Sequence, residues 1–483
     1  MTVQYINRWA RETPAKTAVI YNDTRVTYAE MARAVEATRQ RLVAQNAPTD
    51  GVAAVLTGNI RSAWVLILAA RSLGLTTVMI TNVSRLGELR LKGLSCLLTP
   101  GDEPPPPHDP ALAGLVHIVV SASVLRTAEG LDAAAGFVDP PRLGNHILYT
   151  SGTTGRYKKV LVEAARQGVR DQERIELSGF TPETLIHTMD LGLWTGIGFK
   201  SVSAIWRIGG ATIIDQTDAR YANFRRHSPT YAQTLPEGLR TIIDASDPSQ
   251  RPSTTLRLRC GGSLVPLSLA QRAVARIATS FTVGFSATEL GSSSMSSEFH
   301  TPDDLVWLKP NRQGRVEVVD EDGVMVGPNI EGFLRLRLGD TDSTEYLDDP
   351  EATEKAFRDG CFYSGDLAMR REDGRVRILG RADDVLNVKG QKLAVAPIEE
   401  NLQRGLGVEE LCVFLGLAPD GVEELVVAIR SQGPIDKQDV LRRLGPSKIF
   451  DRVRIEVFPE FPRTEAGLSK IKRTELRRMV FPD

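Results

Sequence analysis

The sequence predicts an α/β protein: a long N-terminal part built on mainly parallel sheet, a β-rich stretch after it, and a small α+β unit at the end. Three observations predict this. Strand-length apolar runs alternate with helical apolar periodicity from Thr27 to Thr81, the texture of βα units around a parallel sheet. Beyond residue 312, Asp-Gly pairs stand between alternating apolar runs, which marks hairpins. Past residue 381, strand and helix patterns recur in about a hundred residues, a usual domain length.

The elements follow in order. "VTYAEMARAVEATRQRLVAQ" sets Thr27 and Glu30 at capping-box spacing, where hydroxyl and carboxylate satisfy the first free N–H groups of a helix. "GVAAVLTG" reads as a buried strand, "SAWVLILAARSLG" as a helix and "TTVMIT" as the next strand. "GDEPPPPHDPALAG" is a surface loop, because consecutive prolines fix φ and remove N–H donors. "GRVEVVDEDGVMVG" and "LAMRREDGRVRILG" predict two hairpins. After "LGRADDVLNVKGQKLA" come a helix from near Pro397 to Gly405, the strands "LCVFLGLA" and "ELVVAIR", and the helix "DKQDVLRRLG". The boundary is placed near residue 381, giving domains 1–381 and 382–483.

Composition narrows the function classes. With 42% apolar and 25% charged residues the chain is an ordinary globular sequence. A formal charge of −1 gives no global electrostatic reason for nucleic acid or an anionic membrane as partner. "SKIKRTELRRM" reads as a solvated helix face or a small anion site. Cys96, Cys260, Cys361 and Cys412 lack CxxC spacing, so neither a zinc site nor a disulfide framework is expected. The polar start "MTVQYINRWARETPAKTAVIY" has no signal-peptide core, and no run approaches the roughly 18 apolar residues of a spanning helix. A soluble, cytoplasmic protein is expected.

"ILYTSGTTGRYKKVLVE", residues 147 to 163, carries the donors that phosphate needs. Its glycines expose backbone N–H groups, Ser151, Thr153 and Thr154 add hydroxyls, and Lys158 supplies a cation. It is not the GxxxxGKS loop, because "KKVLVE" reads as a strand; an ordinary Ser/Thr/Gly turn has the same look. Tyr157 and Lys159 occupy the exit, where Pro and Gly would suit a tight turn better. "GFSATEL" offers an aromatic ring, a hydroxyl and a carboxylate for adenine, phosphate and Mg²⁺; alone, it also fits a strand end. "FYSGDLA" places Asp366 after a Ser-Gly turn, where a carboxylate can accept from ribose hydroxyls or merely cap the turn.

Taken in order, "YTSGTTGxxK", "GFSATE", "YSGDL", "GRADDVLNVKGQ" and "PRTEAG" resemble the adenylate-forming superfamily of acyl-CoA synthetases, carrier-loading adenylation domains and luciferases. The resemblance covers essentially the whole chain. It implies an N-terminal domain of two α/β sheets plus a β-rich subdomain, and a small mobile C-terminal domain that rotates between two half-reactions. The half-reactions it implies are attack of a carboxylate on the α-phosphorus of Mg·ATP, giving acyl-AMP and pyrophosphate, and then displacement of AMP by a thiol.

Residue by residue, the resemblance implies that Thr150, Ser151, Gly152, Thr153, Thr154, Gly155 and Lys158 hold the pyrophosphate portion of ATP. Gly261 and Gly262 line the adenine slot, Phe285 stacks on the base, Thr288 touches the α-phosphate and Glu289 binds Mg²⁺. Asp366 and Arg381 grip the ribose, Asp383 is the hinge, Lys392 lies near phosphate and Gly390 lets the pantetheine of CoA pass. The transition state needs a cation where charge builds on the α-phosphate and carboxylate. In "PRTEAGLSKIKR" Leu468 and Ser469 interrupt the family pattern; Lys470 is the candidate, Lys472 the alternative, and a loop in which neither reaches the site stays open. Phe285 stands for a usual Tyr, Ser286 for a Gly, and Lys389 for a small residue beside the thiol path.

"MDLGLWTGIGFKSVSAIWRIGGATII" is expected to face the acid. Asp190 and Trp194 have the Asp-x-x-x-Trp spacing of amino-acid-adenylating domains, yet counting back from "GGAT" puts that Asp position at Ile197. In this register Thr195 stands where many acyl ligases have a His, and Trp194, Thr195 and Gly196 are expected to border a moderately sized apolar acyl pocket; a Trp beside glycines is also often plain core. The implied activity is an ATP-dependent carboxylic acid–CoA ligase using ATP, Mg²⁺ and CoA. The alternatives are an adenylating enzyme that serves an acyl carrier protein or an amine, and a non-catalytic AMP-binding relative.

Overall fold

The computed structural model describes the chain apart from residues 105, 107–108, 132–135, 138, 152–156, 190, 383–384, 389–390, 419–422, 445–451, 464–470 and 482–483. Of residues 151, 385, 387–388, 391–394, 417, 423 and 474 it describes the backbone alone. Two sheets organise the N-terminal part. The six-stranded sheet runs Val116–Val120, Leu94–Pro100, Val52–Leu56, Thr76–Ile80, His146–Ser151, Tyr157–Val162. It is parallel until the last pair, which is antiparallel. In the nine-stranded sheet, parallel strands from Ala278–Phe285 to Thr17–Tyr21 are flanked by antiparallel strands at both ends.

Local chemistry explains the elements between. The helix Tyr28–Ala44 starts on the expected capping box: Glu30 N donates to Thr27 Oγ1 at 3.2 Å and Thr27 N to Glu30 Oε2 at 2.8 Å. The helix Ile60–Ser72 is apolar on nearly every face, and it lies inside the core. There Trp64 stacks on Phe199, with ring centroids 5.2 Å apart, and meets the edge of Trp206 at 4.7 Å. One apolar cluster therefore joins the helices of both sheets.

A five-stranded β-rich unit follows, centred on Glu331–Arg337 and Cys361–Arg370. The second expected hairpin is present, with Met369 opposite Arg377 and Arg370 opposite Val376. The first is only partial. Val316–Val319 takes Glu331–Arg337 as its strand partner, and beyond the Asp-Gly turn only the bridge between Val319 and Met325 forms. Pro328 lacks an N–H for a ladder, and Val324 and Met325 stay exposed.

The C-terminal part has its own cores. Leu411–Leu417, Glu423–Arg430 and Val453–Phe458 form a three-stranded sheet. Leu411, Val413, Val427 and Ile429 pack on one face with Leu402 and Val440 of the helices Val395–Leu406 and Lys437–Leu444. Cys412, Phe414, Val426 and Leu476 pack on the other, as the two-residue strand period requires. Pro397 lies inside the first turn of its helix, where N–H groups have no intrahelical partner to lose. An ionic seam joins this part to the larger one: Arg240 pairs with Glu409, Arg272 with Glu409 at 2.6 Å, and Arg463 with Glu237 at 3.3 Å. All four cysteines are free and buried. Among the described residues no helix is long and apolar enough to cross a membrane.

Candidate active site

The strands His146–Ser151 and Tyr157–Val162 bracket the Ser/Thr/Gly loop, pairing Thr150 with Lys158 and Ser151 with Tyr157. Gly152, Thr153, Thr154 and Gly155 lie outside the described residues. The unusual exit residues are fixed by packing. Tyr157 meets the edge of Tyr149 at 5.5 Å and lies under the Arg85 guanidinium, 4.4 Å from its ring centroid. Lys159 is buried, 3.7 Å from Asp348, and donates to the Arg90 carbonyl. Lys158 is half-buried, with its Nζ 4.8 Å from the centroid of the Tyr346 ring. Burial lowers its pKa, Glu289 opposes that, and Arg381 adds to it. Lys158 thus feels both the expected metal carboxylate and the expected ribose arginine.

Glu289 sits on an irregular turn after the strand Ala278–Phe285, and the turn is buried. Buried backbone groups outside a ladder need other partners. Here every carbonyl from 288 to 291 has one. Lys200 Nζ donates to Thr288 O at 2.8 Å and Leu290 O at 2.9 Å, Ser343 N to Glu289 O at 2.8 Å, and Arg174 to Gly291 O at 2.8 Å. Gly291 N donates to Asp342 Oδ1 at 2.8 Å, and Asp342 is itself paired with Arg315. Glu289 is 6% exposed, and its carboxylate accepts from the Tyr346 hydroxyl at 2.6 Å. Thr288 is half-buried beside it.

At the expected nucleoside end Gly261 lies opposite Gly284 on the neighbouring strand, and a Cβ on Gly261 would stand 2.7 Å from the Gly284 oxygen. Gly262 has φ +88°, a conformation open to glycine. Half-buried Phe285 ends the same strand as Gly284. Asp366 and Arg381 face each other across two strands, with Nη1 3.2 Å from Oδ1. Arg381 also donates to Ser364 O at 2.7 Å, so the guanidinium is held by the turn that presents Asp366.

The backbone of Lys392 lies opposite Asn387 in the hairpin Val385–Val388/Gln391–Ala394. Its side chain is outside the described residues, as are Asp383, Lys389, Gly390 and Lys470. Lys472, the alternative cation, precedes the final helix Arg473–Val480 and pairs with Glu475 there at 3.2 Å. Trp194 is half-buried and stacks on Tyr149, centroids 6.5 Å apart at 18°, while Tyr149 N donates to the Trp194 carbonyl at 3.2 Å. Buried Thr195 uses its hydroxyl locally, donating to Gly192 O and accepting from Gly198 N, both at 2.9 Å. Gly196 caps a π-helical turn, Ile197–Ser201. Asp190 is outside the described residues.

A sequence model of one family, described as AMP-binding enzyme, matches residues 6–341. The chain belongs to the AMP-binding enzyme family. It is 26% identical over 351 residues to a 3-hydroxybenzoate–CoA/4-hydroxybenzoate–CoA ligase of Thauera aromatica, spanning 69% of this chain and 66% of that ligase. The match thus spans a little under two thirds of that relative's length. It is 28% identical over 513 residues to a feruloyl-CoA synthase of Amycolatopsis sp, covering 98% and 97% of the two chains. The o-succinylbenzoate coenzyme A synthetase of Bacillus subtilis, solved in complex with ATP and magnesium ion, superposes with a TM-score of 0.80 over 98% of each chain, at 20% identity. The fold is that of the adenylate-forming enzymes, with a large N-terminal and a small C-terminal domain.

In this AMP-binding enzyme two residues of the candidate site were not singled out by the sequence. Tyr346 bridges Glu289 and Lys158 from 57 residues beyond Glu289, and Lys200 supports the turn from 88 residues before Thr288. Tyr346 belongs to no quoted motif, and Lys200 stands in the stretch expected to face the acid without a role assigned to it. Burial drives the Lys200 pKa well below the lysine range, and Arg170 and Arg174 add to this. Among the described residues no cluster of His, Cys, Asp and Glu forms a protein-only metal cage.

Proposed function

We propose that this AMP-binding enzyme is an ATP-dependent carboxylic acid–CoA ligase that forms an acyl-adenylate and then a thioester, releasing AMP. The observation that carries the reading is the convergence of separate motifs: Lys158 from the loop strand, Glu289 from the buried turn and the Asp366–Arg381 pair act on one another electrostatically. The aromatic acids named for the hydroxybenzoate ligase and the feruloyl-CoA synthase support the same reaction class.

In this reading the loop Thr150–Gly155 and Lys158 hold the pyrophosphate end of ATP, Gly261, Gly262 and Phe285 the adenine, and Asp366 with Arg381 the ribose. Thr288 meets the α-phosphate. A hydrogen-bonded carboxylate such as Glu289 suits Mg²⁺, which keeps water and phosphate oxygens as its other ligands. Glu289 would hold that ion, which when bound neutralises charge on the phosphates. Trp194, Thr195 and Gly196 border the acid. Lys470 supplies the cation for adenylation, and domain 382–483 turns about Asp383 so that Lys392 and Gly390 serve the CoA step. The four free, buried cysteines suit a reducing cytoplasm.

The test is incubation with ATP, Mg²⁺, CoA and a panel of aryl and short-to-medium carboxylic acids, following pyrophosphate, AMP and thioester. The expected result is acid-dependent pyrophosphate with matching AMP and thioester. Pyrophosphate without thioester would assign the acyl group to a carrier protein or an amine. No acid-dependent pyrophosphate would make the chain a non-catalytic AMP-binding relative.

A further inference from the structure

We infer that Lys200 is a positioning residue for Mg·ATP, setting the course of the Thr288–Leu290 turn from behind so that the Glu289 carboxylate is delivered to one place. The inference rests on the proposed role of Glu289.

Lys200 is 4% exposed, and none of the ion pairs among the described residues includes it. Even with the charges of Asp342 and Glu289 acting on it, burying a lysine with no ion-pair partner is costly unless its hydrogens are used. They are used on Thr288 O and Leu290 O, the carbonyls on either side of Glu289. A single peptide N–H serves one such carbonyl well; a lysine amine, with several hydrogens on one nitrogen, draws both toward the same point. With Glu289 O tied to Ser343 N, three successive carbonyls are fixed, and the side chain between them reaches the Tyr346 hydroxyl.

Lys200 stands on the π-helical turn Ile197–Ser201, whose N-cap is Gly196. π-Turns inside helices occur often at functional sites. The same short segment therefore carries the expected acid-facing residues at one end and the support of the Glu289 turn at the other. Removing the Lys200 amine frees two buried carbonyls without touching Trp194, Thr195 or Gly196, so the defect falls on Mg·ATP rather than on the acid.

The experiment compares full-length wild type, K200M and K200R. Melting is checked first, then binding of ATP by calorimetry with Mg²⁺ and with EDTA, then acid-dependent pyrophosphate release at varied Mg²⁺ and acid. K200M, which keeps the apolar length, is expected to bind Mg·ATP roughly tenfold more weakly, the loss of hydrogen bonds to buried carbonyls. Its affinity for ATP in EDTA and its KM for the acid stay near wild type, and K200R recovers much of the loss. A folded K200M that binds Mg·ATP as wild type does, or that weakens with and without Mg²⁺ alike, overturns the inference. If K200M does not fold, K200Q, which keeps a donor on a shorter side chain, is titrated under the same criteria. Wild type that binds Mg·ATP yet releases no acid-dependent pyrophosphate defeats the ligase reading instead, while the calorimetric comparison still decides Lys200.

Discussion

Tyr346 donates its buried hydroxyl to Glu289 Oε1 at 2.6 Å, and its ring lies 4.8 Å from the Lys158 ammonium. One residue thus holds the acid and the base of the proposed phosphate site apart and in place. Tyr346→Phe keeps the ring and its attraction for the lysine but removes the donor to a buried carboxylate. A hydrogen bond to a charged group contributes about 1.5–3 kcal/mol. Y346F is therefore expected to adenylate roughly tenfold or more slowly, with a raised Mg²⁺ requirement and a melting temperature lowered by about a few degrees. Pyrophosphate release across a Mg²⁺ series checks it; an unchanged rate and Mg²⁺ curve would make the bond merely structural.

Lys158→Ala removes the cation of the loop while leaving the paired strands, whose packing runs through Tyr157, Lys159 and Tyr149. Loss of a preorganised charge partner typically costs roughly a hundredfold in rate. The expected outcome is a loss of that order in acid-dependent pyrophosphate formation with the fold retained by circular dichroism. Near-wild-type adenylation would show that Lys158 does not touch the phosphates.

Trp194→Ala tests the proposed acid-facing segment. The ring stacks on Tyr149 next to the loop strand, so its loss opens space there. Bulkier or longer acids should gain relative to short ones, read as the ratio of kcat/KM across the panel. If melting falls while the ranking of acids is untouched, Trp194 is core and the acid binds elsewhere.

Glu409 tests the ionic seam. Burial raises its pKa, but hydrogen bonds and charge from Arg240 and Arg272 outweigh that and leave it below the usual carboxylate range. The folded pKa is depressed, so this contribution is fully present above the unfolded pKa and is lost as pH falls from there through the lower, folded pKa. Glu409→Gln is expected to speed limited proteolysis between the two parts and to make that rate less sensitive to added salt than in wild type. Equal rates and equal salt dependence would mean the seam does not hold the C-terminal part.

His146 gives a pH signature. It is fully buried between Thr77 Oγ1, 2.8 Å from Nδ1, and the Leu193 carbonyl, 2.8 Å from Nε2, and burial pushes its pKa from 6.5 down to about 3. Below pH 6.5 the unfolded chain binds a proton that the folded chain refuses. The stability difference between wild type and His146→Gln should therefore be flat above that pH and shrink as pH falls toward 3, by up to about 1.4 kcal/mol per pH unit. Denaturant melts at several pH values measure it; a difference that does not vary would show that the imidazole protonates in place.

The sequence by itself determined whatever depends on near neighbours. Thr27 and Glu30 cap a helix because three residues separate them, Asp-Gly turns the chain between Arg370 and Val376, and the loop, Glu289, Asp366 and Arg381 each lie in a short recognisable stretch. Tertiary structure alone decided what is near in space and far along the chain. It put Thr17–Tyr21 beside Ala211–Ile214, set Val316–Val319 on Glu331–Arg337, and gave the Glu289 turn its supports in Lys200, Ser343 and Tyr346. The reason is that an irregular buried turn has carbonyls to satisfy but no periodicity to announce what satisfies them. Any buried donor of the right length serves, and only the packed chain selects which one arrives.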